Sequence, residues 1–322
     1  MTAAWVVGRS GMLGSAIARA LHDRPDWSES VGVGLPWSEG PDAVRPAARD
    51  AARRLLADAD GGPWALIWAG GAAVTASSEA DTDREFELFA AAFDGAAEAL
   101  RPDAANGRFF VASSAGGVYA GSTNPPFTER SEPVPLAPYG RLKLRSEVYA
   151  RSVAERIGVP SIVGRIANLY GPGQRLDKLQ GIISHLALAR LTATPASVFV
   201  PLDTLRDYLF VDDAAELVLA ALDRLEVERG HVTKILATGE GTSIASLLGQ
   251  LRAISKARPR VVLGASPVAR HQARDLRLRS VVWPEIDRAR TRTLPEGIGR
   301  TIQDIERRLR DGDQRATSSS VR

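Results

Sequence analysis

The sequence contains no cysteine. That excludes disulfides, zinc–thiolate sites and any cysteine nucleophile or acid. It lacks a run of about eighteen apolar residues, so no membrane-spanning helix is expected. Residues 3–7 form a strand-like run with no basic segment or small-residue cleavage site before it, so no signal peptide is expected and a cytoplasmic location is the reading. A charge of one sign is lacking too: 41 Lys and Arg face 38 Asp and Glu, a net of +3, which is not the imbalance of a nucleic-acid binder. Lysine itself is scarce. Only Lys143, Lys178, Lys234 and Lys256 occur in a chain otherwise rich in arginine.

What is present has an ordinary globular balance, with 44% hydrophobic and 25% charged residues over 322 positions. One large α/β domain, or one large and one small, fits that length. Short apolar runs at residues 5–7, 64–68, 108–112 and 161–166 read as buried strands. Helical periodicity at residues 15–22, 50–57, 85–100, 139–157, 176–191 and 212–225 separates or follows them. Strands alternating with helices imply α/β architecture with a doubly wound parallel sheet. A second strand is expected at residues 30–35. Residues 115–138, rich in Gly, Pro, Ser and Thr, are expected to be a functional loop.

The first strand runs straight into Gly8-Arg9-Ser10-Gly11-Met12-Leu13-Gly14 and then a helix. Glycine permits the tight turn and the close approach of backbone to ligand. The helix N-terminus offers free N–H groups and a positive dipole end to a pyrophosphate. This points to a dinucleotide. No carboxylate precedes Glu39 near the expected end of the second strand, at Leu35. A 2′-phosphate would therefore meet no repulsion there, and Arg9 could pair with it. The cofactor expectation is NAD(P), leaning to NADP(H).

Tyr139-Gly-Arg-Leu-Lys143 puts a phenol and an ammonium one helical turn apart. A neighbouring cation stabilises a phenolate and suits the phenol to proton exchange. Ser114 ends the fourth strand, and ligands of doubly wound sheets bind beyond strand carboxyl ends. These three are the expected catalytic residues. No metal ligand set is expected.

With these motifs the chain resembles the extended short-chain dehydrogenase/reductases, the NAD(P)-dependent epimerase/dehydratases of nucleotide sugars. The resemblance rests on the glycine turn, Val111-Ala-Ser113-Ser114-Ala-Gly-Gly-Val-Tyr119, Tyr139-Gly-Arg-Leu-Lys143, Arg165-Ile-Ala-Asn168-Leu-Tyr170-Gly171-Pro172-Gly173 and Arg206-Asp207-Tyr-Leu-Phe-Val211-Asp212-Asp213. It implies a Rossmann domain, residues 1–167 and 205–238, and a smaller C-terminal α/β substrate domain, residues 168–204 and 239–310, followed by a disordered tail, residues 311–322. It implies Tyr139 as acid/base, Lys143 as its partner and ribose ligand, and Ser114 as the hydroxyl-orienting residue, with Ser113 as the fallback. Ala69 and Gly70 would line the cofactor. Asn168, Arg206 and Arg270, or Arg274 in place of the last, would hold the substrate diphosphate. The implied partners are a nucleotide sugar and a second copy of the chain, joined through the helices at residues 85–100 and 139–157.

Within that family, Ala115-Gly116-Gly117 stands where a 4,6-dehydratase resembling known ones would carry an Asp-Glu pair. The glycine turn resembles the fucose-synthase type of epimerase/reductase, but that chemistry needs a cysteine. The remaining readings are a 4-epimerase, placed first, and an NADPH-dependent ketoreductase. A dinucleotide-binding sensor without chemistry is the non-enzymatic alternative.

Overall fold

The structure is a computed structural model. It describes residues 1–32, 34–176, 181–255, 260–264, 273–289 and 291–319. In chain order the elements are β1 Thr2–Val7, α1 Met12–His22, β2 Trp27–Glu29, α2 Pro41–Ala59, β3 Trp64–Trp68, α3 Glu79–Leu100, β4 Gly107–Ser114, α4 Ala115–Val118, α5 Pro138–Ile157, β5 Ser161–Ile166, β6 Asn168–Tyr170, α6 Ile182–Leu191, β7 Ala196–Val198, β8 Leu205–Phe210, α7 Val211–Glu228, β9 His231–Leu236, β10 Gly241–Ser243, α8 Ile244–Ser255, β11 Val261–Leu263, β12 Asp275–Leu276 and α9 Leu294–Ser319.

Strands β1, β3 and β5 are buried along their whole length. A strand apolar on both faces needs a layer on each side, and the sheet has them. Alternate residues divide between two cores. Val6 and Ile67 join Ile17, Phe110, Ile162 and Leu217 under α1 and α7. Trp5, Val7, Trp64 and Leu66 join Val44, Phe93, Phe109 and Val153 under α2, α3 and α5. The six-stranded sheet runs β2-β1-β3-β4-β5-β9, with every pairing parallel. Strand order reverses between β1 and β3, and that switch point opens the ligand crevice.

Several boundaries differ from the sequence reading: the helices expected at residues 50–57, 85–100 and 176–191 are Pro41–Ala59, Glu79–Leu100 and Ile182–Leu191, and the loop expected at 115–138 opens with the turn α4. Strand β2 is Trp27–Glu29, not residues 30–35. Gly32, Gly34 and Pro36 disfavour a continued strand there, while Trp27 fills the core. Residues 205–210, expected within the Rossmann domain, form β8, which pairs with β6, β10 and β12 in a second sheet. The cause is double burial: Leu209 packs into the large core, while Tyr208 and Phe210 pack into a third cluster with Ile183, Leu186 and Ile298. Residues 311–319, expected as a disordered tail, continue α9. Pairs such as Arg300–Glu296 and Arg310–Glu306 lie one turn apart on that helix and support it.

Candidate active site

The glycine turn forms by backbone contact. Gly8 has φ +83, and a Cβ there would sit 2.5 Å from the Cα of Gly70, after β3. A Cβ on Gly14 would sit 2.2 Å from the Gly8 carbonyl oxygen. Only glycine lets β1, α1 and the end of β3 close this tightly. Helix α1 starts at Gly11 with no side-chain cap and no acidic residue in its first turn. By contrast, α3 begins with a full capping box from Ser78 and Asp81. The uncapped N–H groups of α1 at the switch point fit a pyrophosphate, so the chain's residues match a dinucleotide.

β2 ends in a carboxylate, Glu29, and Arg9 donates to it through Nε at 2.5 Å and Nη2 at 3.0 Å. Glu29 is mostly covered while Arg9 is half exposed. Sequence reading missed Glu29 because it placed the strand three residues too late.

Strand β4 delivers two adjacent serines with opposite fates. Ser113 is buried and donates to Glu147 Oε1 at 2.5 Å. Ser114 is half-buried at the crevice, and its Oγ accepts from the Gly117 N–H at 3.1 Å. That bond folds the turn α4 against α5. A Cβ on Gly140 would lie 2.2 Å from the Gly117 carbonyl oxygen, and one on Gly117 would lie 3.1 Å from Tyr139 Cε1. The turn bearing Ser114 therefore lies directly on Tyr139. On its other side, a Cβ at Gly116 would be 3.6 Å from Asn168 Oδ1 and 3.8 Å from Leu276. Lys143 Nζ lies 5.5 Å from the Tyr139 ring centroid.

Behind these residues is a buried ionic network. Arg165 donates through Nη2 to Glu147 Oε2 at 2.7 Å and through Nη1 to the Tyr119 hydroxyl at 2.7 Å. Tyr119 in turn donates to the Thr128 carbonyl at 2.9 Å and stacks on Phe127. Burial pushes the Tyr119 phenol up from its ordinary range, against the pull of Arg165. Burial alone would lower Arg165, but its bonds to Glu147 raise it overall. Glu147 was not anticipated, although Tyr139, Lys143 and Glu147 recur at four-residue spacing on one helix and the next step of that ladder marked it.

Arg206 is buried on β8 and donates to the Leu205 carbonyl at 2.8 Å. Burial lowers it from the ordinary guanidinium range, against Tyr208 and Asp275 nearby. Its register partner is Leu276, the same residue that meets Gly116. Arg270 lies outside the described residues. Arg274 is exposed and paired with Asp203. The structure thus brings Ser114, Tyr139, Lys143 and Asn168 to one crevice with Gly8, Gly14, Ala69 and Gly70. Among the described residues there is no cluster of potential metal ligands, and no helix is long and apolar enough to cross a membrane.

A parallel sheet with a glycine turn at its switch point defines a Rossmann-type dinucleotide-binding protein. The NAD dependent epimerase/dehydratase family model matches residues 4–235, and the chain belongs to that family. Over 137 residues it is 36% identical to dTDP-4-dehydro-6-deoxyglucose reductase of Escherichia coli, a stretch covering 42% of each chain. The chain thus spans less than half the length of such a curated relative. Two solved structures match nearly end to end. UDP-glucuronic acid 4-epimerase from Bacillus cereus, in complex with UDP-glucuronic acid and NAD, is 20% identical at TM-score 0.76, covering 95% of this chain and 99% of that one. RMD from Pseudomonas aeruginosa, complexed with NADPH, is 22% identical at TM-score 0.75, covering 96% and 100%. At these identities the structural matches bear on the fold.

Proposed function

We propose that this protein is a nucleotide-sugar 4-epimerase acting by reversible hydride transfer. The observation that carries the reading is the packing of the Ser114 turn onto Tyr139 through Gly117 and Gly140, beside Lys143. A nicotinamide, when bound, supplies the acceptance and return of hydride. Tyr139 takes the proton from the sugar hydroxyl and returns it. Ser114 orients the same oxygen. Lys143 supports the phenolate and holds a ribose hydroxyl. Asn168 and Arg206 face the diphosphate; a guanidinium suits it because it donates two parallel bonds.

The cofactor reading moves to NAD. A 2′-phosphate would have to displace Glu29 from Arg9, whereas a 2′-hydroxyl can donate to that carboxylate. A second reading, an NADPH-dependent 4-keto sugar reductase, is favoured by the 36% match to a reductase. The dinucleotide retained by purified protein separates the two. Retained NAD supports the epimerase; an empty site that takes up NADPH overturns it in favour of the reductase.

We read residues 1–167 with 211–238 as the dinucleotide domain and the rest as the substrate domain. A homodimer through α3 and α5 is supported by a groove in which Phe86, Pro135, Leu144, Tyr149 and the 64% exposed Val148 lie among Arg141, Arg145 and Ser152.

A further inference from the structure

The loop after β3 brings together two charges, one from α3 and one from α5. Gly71 has φ +154, and a Cβ there would lie 3.1 Å from Glu85 Oε1 and 3.2 Å from Lys143 Nζ. The carboxylate and the ammonium therefore flank one point at the mouth of the dinucleotide crevice. The other oxygen, Glu85 Oε2, accepts from the Ala72 N–H at 2.8 Å and the Ala73 N–H at 2.6 Å. One carboxylate on α3 thus anchors the β3–α3 loop with one oxygen and turns the other toward the lysine on α5.

We infer that Glu85 is a positioning residue: it holds the loop 70–73 in place and sets the direction of the Lys143 side chain. The inference rests on the Tyr139–Lys143 reading for its catalytic consequence, but not for its physical content. The charged neighbourhood is small. Tyr139 faces Lys143 from α5 itself, Glu85 comes from α3, the loop contributes backbone N–H groups, and Ser114 is neutral. One turn further along, Glu147 is committed to Arg165 and Ser113. Other charges of α3 and α5 pair across the seam: Glu79 with Arg141, Asp83 with Arg145, Asp94 with Arg156. A carboxylate near the ammonium orients a long, flexible side chain that would otherwise sample many rotamers.

Glu85→Gln separates the two roles. Its carbonyl oxygen can still accept from Ala72 and Ala73, while the charge beside Lys143 is gone. With only four lysines in the chain, the full-length protein labelled at lysine Cε gives few signals, and Lys143→Arg identifies the one of interest. In Glu85→Gln the Lys143 Cε signal is expected to move and narrow toward that of a freely rotating side chain, because the charge that orients the ammonium is gone. Amide exchange at Ala72 and Ala73 stays unchanged in that variant and speeds up in Glu85→Ala. Glu85→Asp, which keeps the charge but retracts it, gives an intermediate change and serves if the glutamine variant does not fold. A Lys143 signal of the same position and width in wild type and variants overturns the inference. Undiminished turnover in Tyr139→Phe overturns the catalytic reading instead, and the lysine signal still decides the role of Glu85.

Discussion

The two sides of the crevice are built by different means. On the dinucleotide side, backbone meets backbone: Gly8 against Gly70, Gly14 against Gly8, Gly117 against Gly140, each too close for a side chain. On the side of the second sheet, side chains make the contacts: Arg206 of β8 donates to the Leu205 carbonyl beside it, Arg274 pairs with Asp203, and Asp207 accepts from the N–H groups of Thr238 and Gly239. The first kind of contact tolerates one residue type, so it leaves a mark in the sequence. The second tolerates many, and which arginine does what depends on strand pairing that no local pattern announces.

The sharpest break of this comparison comes from filling a backbone contact. Gly14→Ala puts a methyl 2.2 Å from the Gly8 carbonyl. Its dinucleotide affinity should fall by about two orders of magnitude, seen by fluorescence titration, because the turn must open where the pyrophosphate binds. An affinity within threefold of wild type would mean the turn yields more easily than its packing suggests.

The buried pair behind the site comes next. Glu147 and Arg165 have side chains only 6% and 8% exposed. Glu147→Ala leaves the guanidinium buried without its carboxylate and should cost about 3–5 kcal/mol in denaturant unfolding. The double variant Glu147→Leu with Arg165→Met should recover most of that loss. A single variant that unfolds like wild type would place the pair in reach of water.

A smaller effect is expected at the exposed rim of the dinucleotide side. Arg9 and Glu29 should contribute less than about 1 kcal/mol to stability, as surface pairs do. Their effect lies in selectivity. Glu29→Ala releases Arg9 and should raise the affinity ratio of NADP to NAD about tenfold, while Arg9→Ala should lower it. Equal ratios in both variants would remove the pair from the ribose site.

The smallest effect is at the far edge of the large sheet. Burial lowers the His231 imidazole from its ordinary range, so the fold favours the neutral form, which bonds to Ser161 at 2.9 Å. Its contribution is present above the ordinary histidine range and is lost as pH falls through it toward the depressed folded value. His231→Gln should therefore flatten the drop in Tm between about pH 7 and pH 5 by about one degree. A drop as steep as in wild type would show that other groups carry it.

The order of strands and helices was legible because apolar runs and glycine punctuation report it directly. So were the positions of Gly8, Ser114, Tyr139 and Lys143. Glu29 was not, since three residues ending at a carboxylate, Trp27-Ser28-Glu29, carry too little pattern to mark a strand. Glu85 was invisible for another reason: an acid in an exposed-looking helical turn has no signature until the loop it anchors is folded beneath it. The split of β8 from the large sheet needed knowledge of which core each alternate residue enters.

In the proposed mechanism every turnover passes through Tyr139. The most direct measurement is single-turnover reduction of bound dinucleotide, followed by nicotinamide absorbance, when wild type and Tyr139→Phe are mixed with nucleotide sugars. A transient is expected in wild type and a rate lower by about three orders of magnitude in Tyr139→Phe, with dinucleotide affinity and Tm unchanged. A variant that reduces its dinucleotide as fast as wild type would remove Tyr139 from the chemistry.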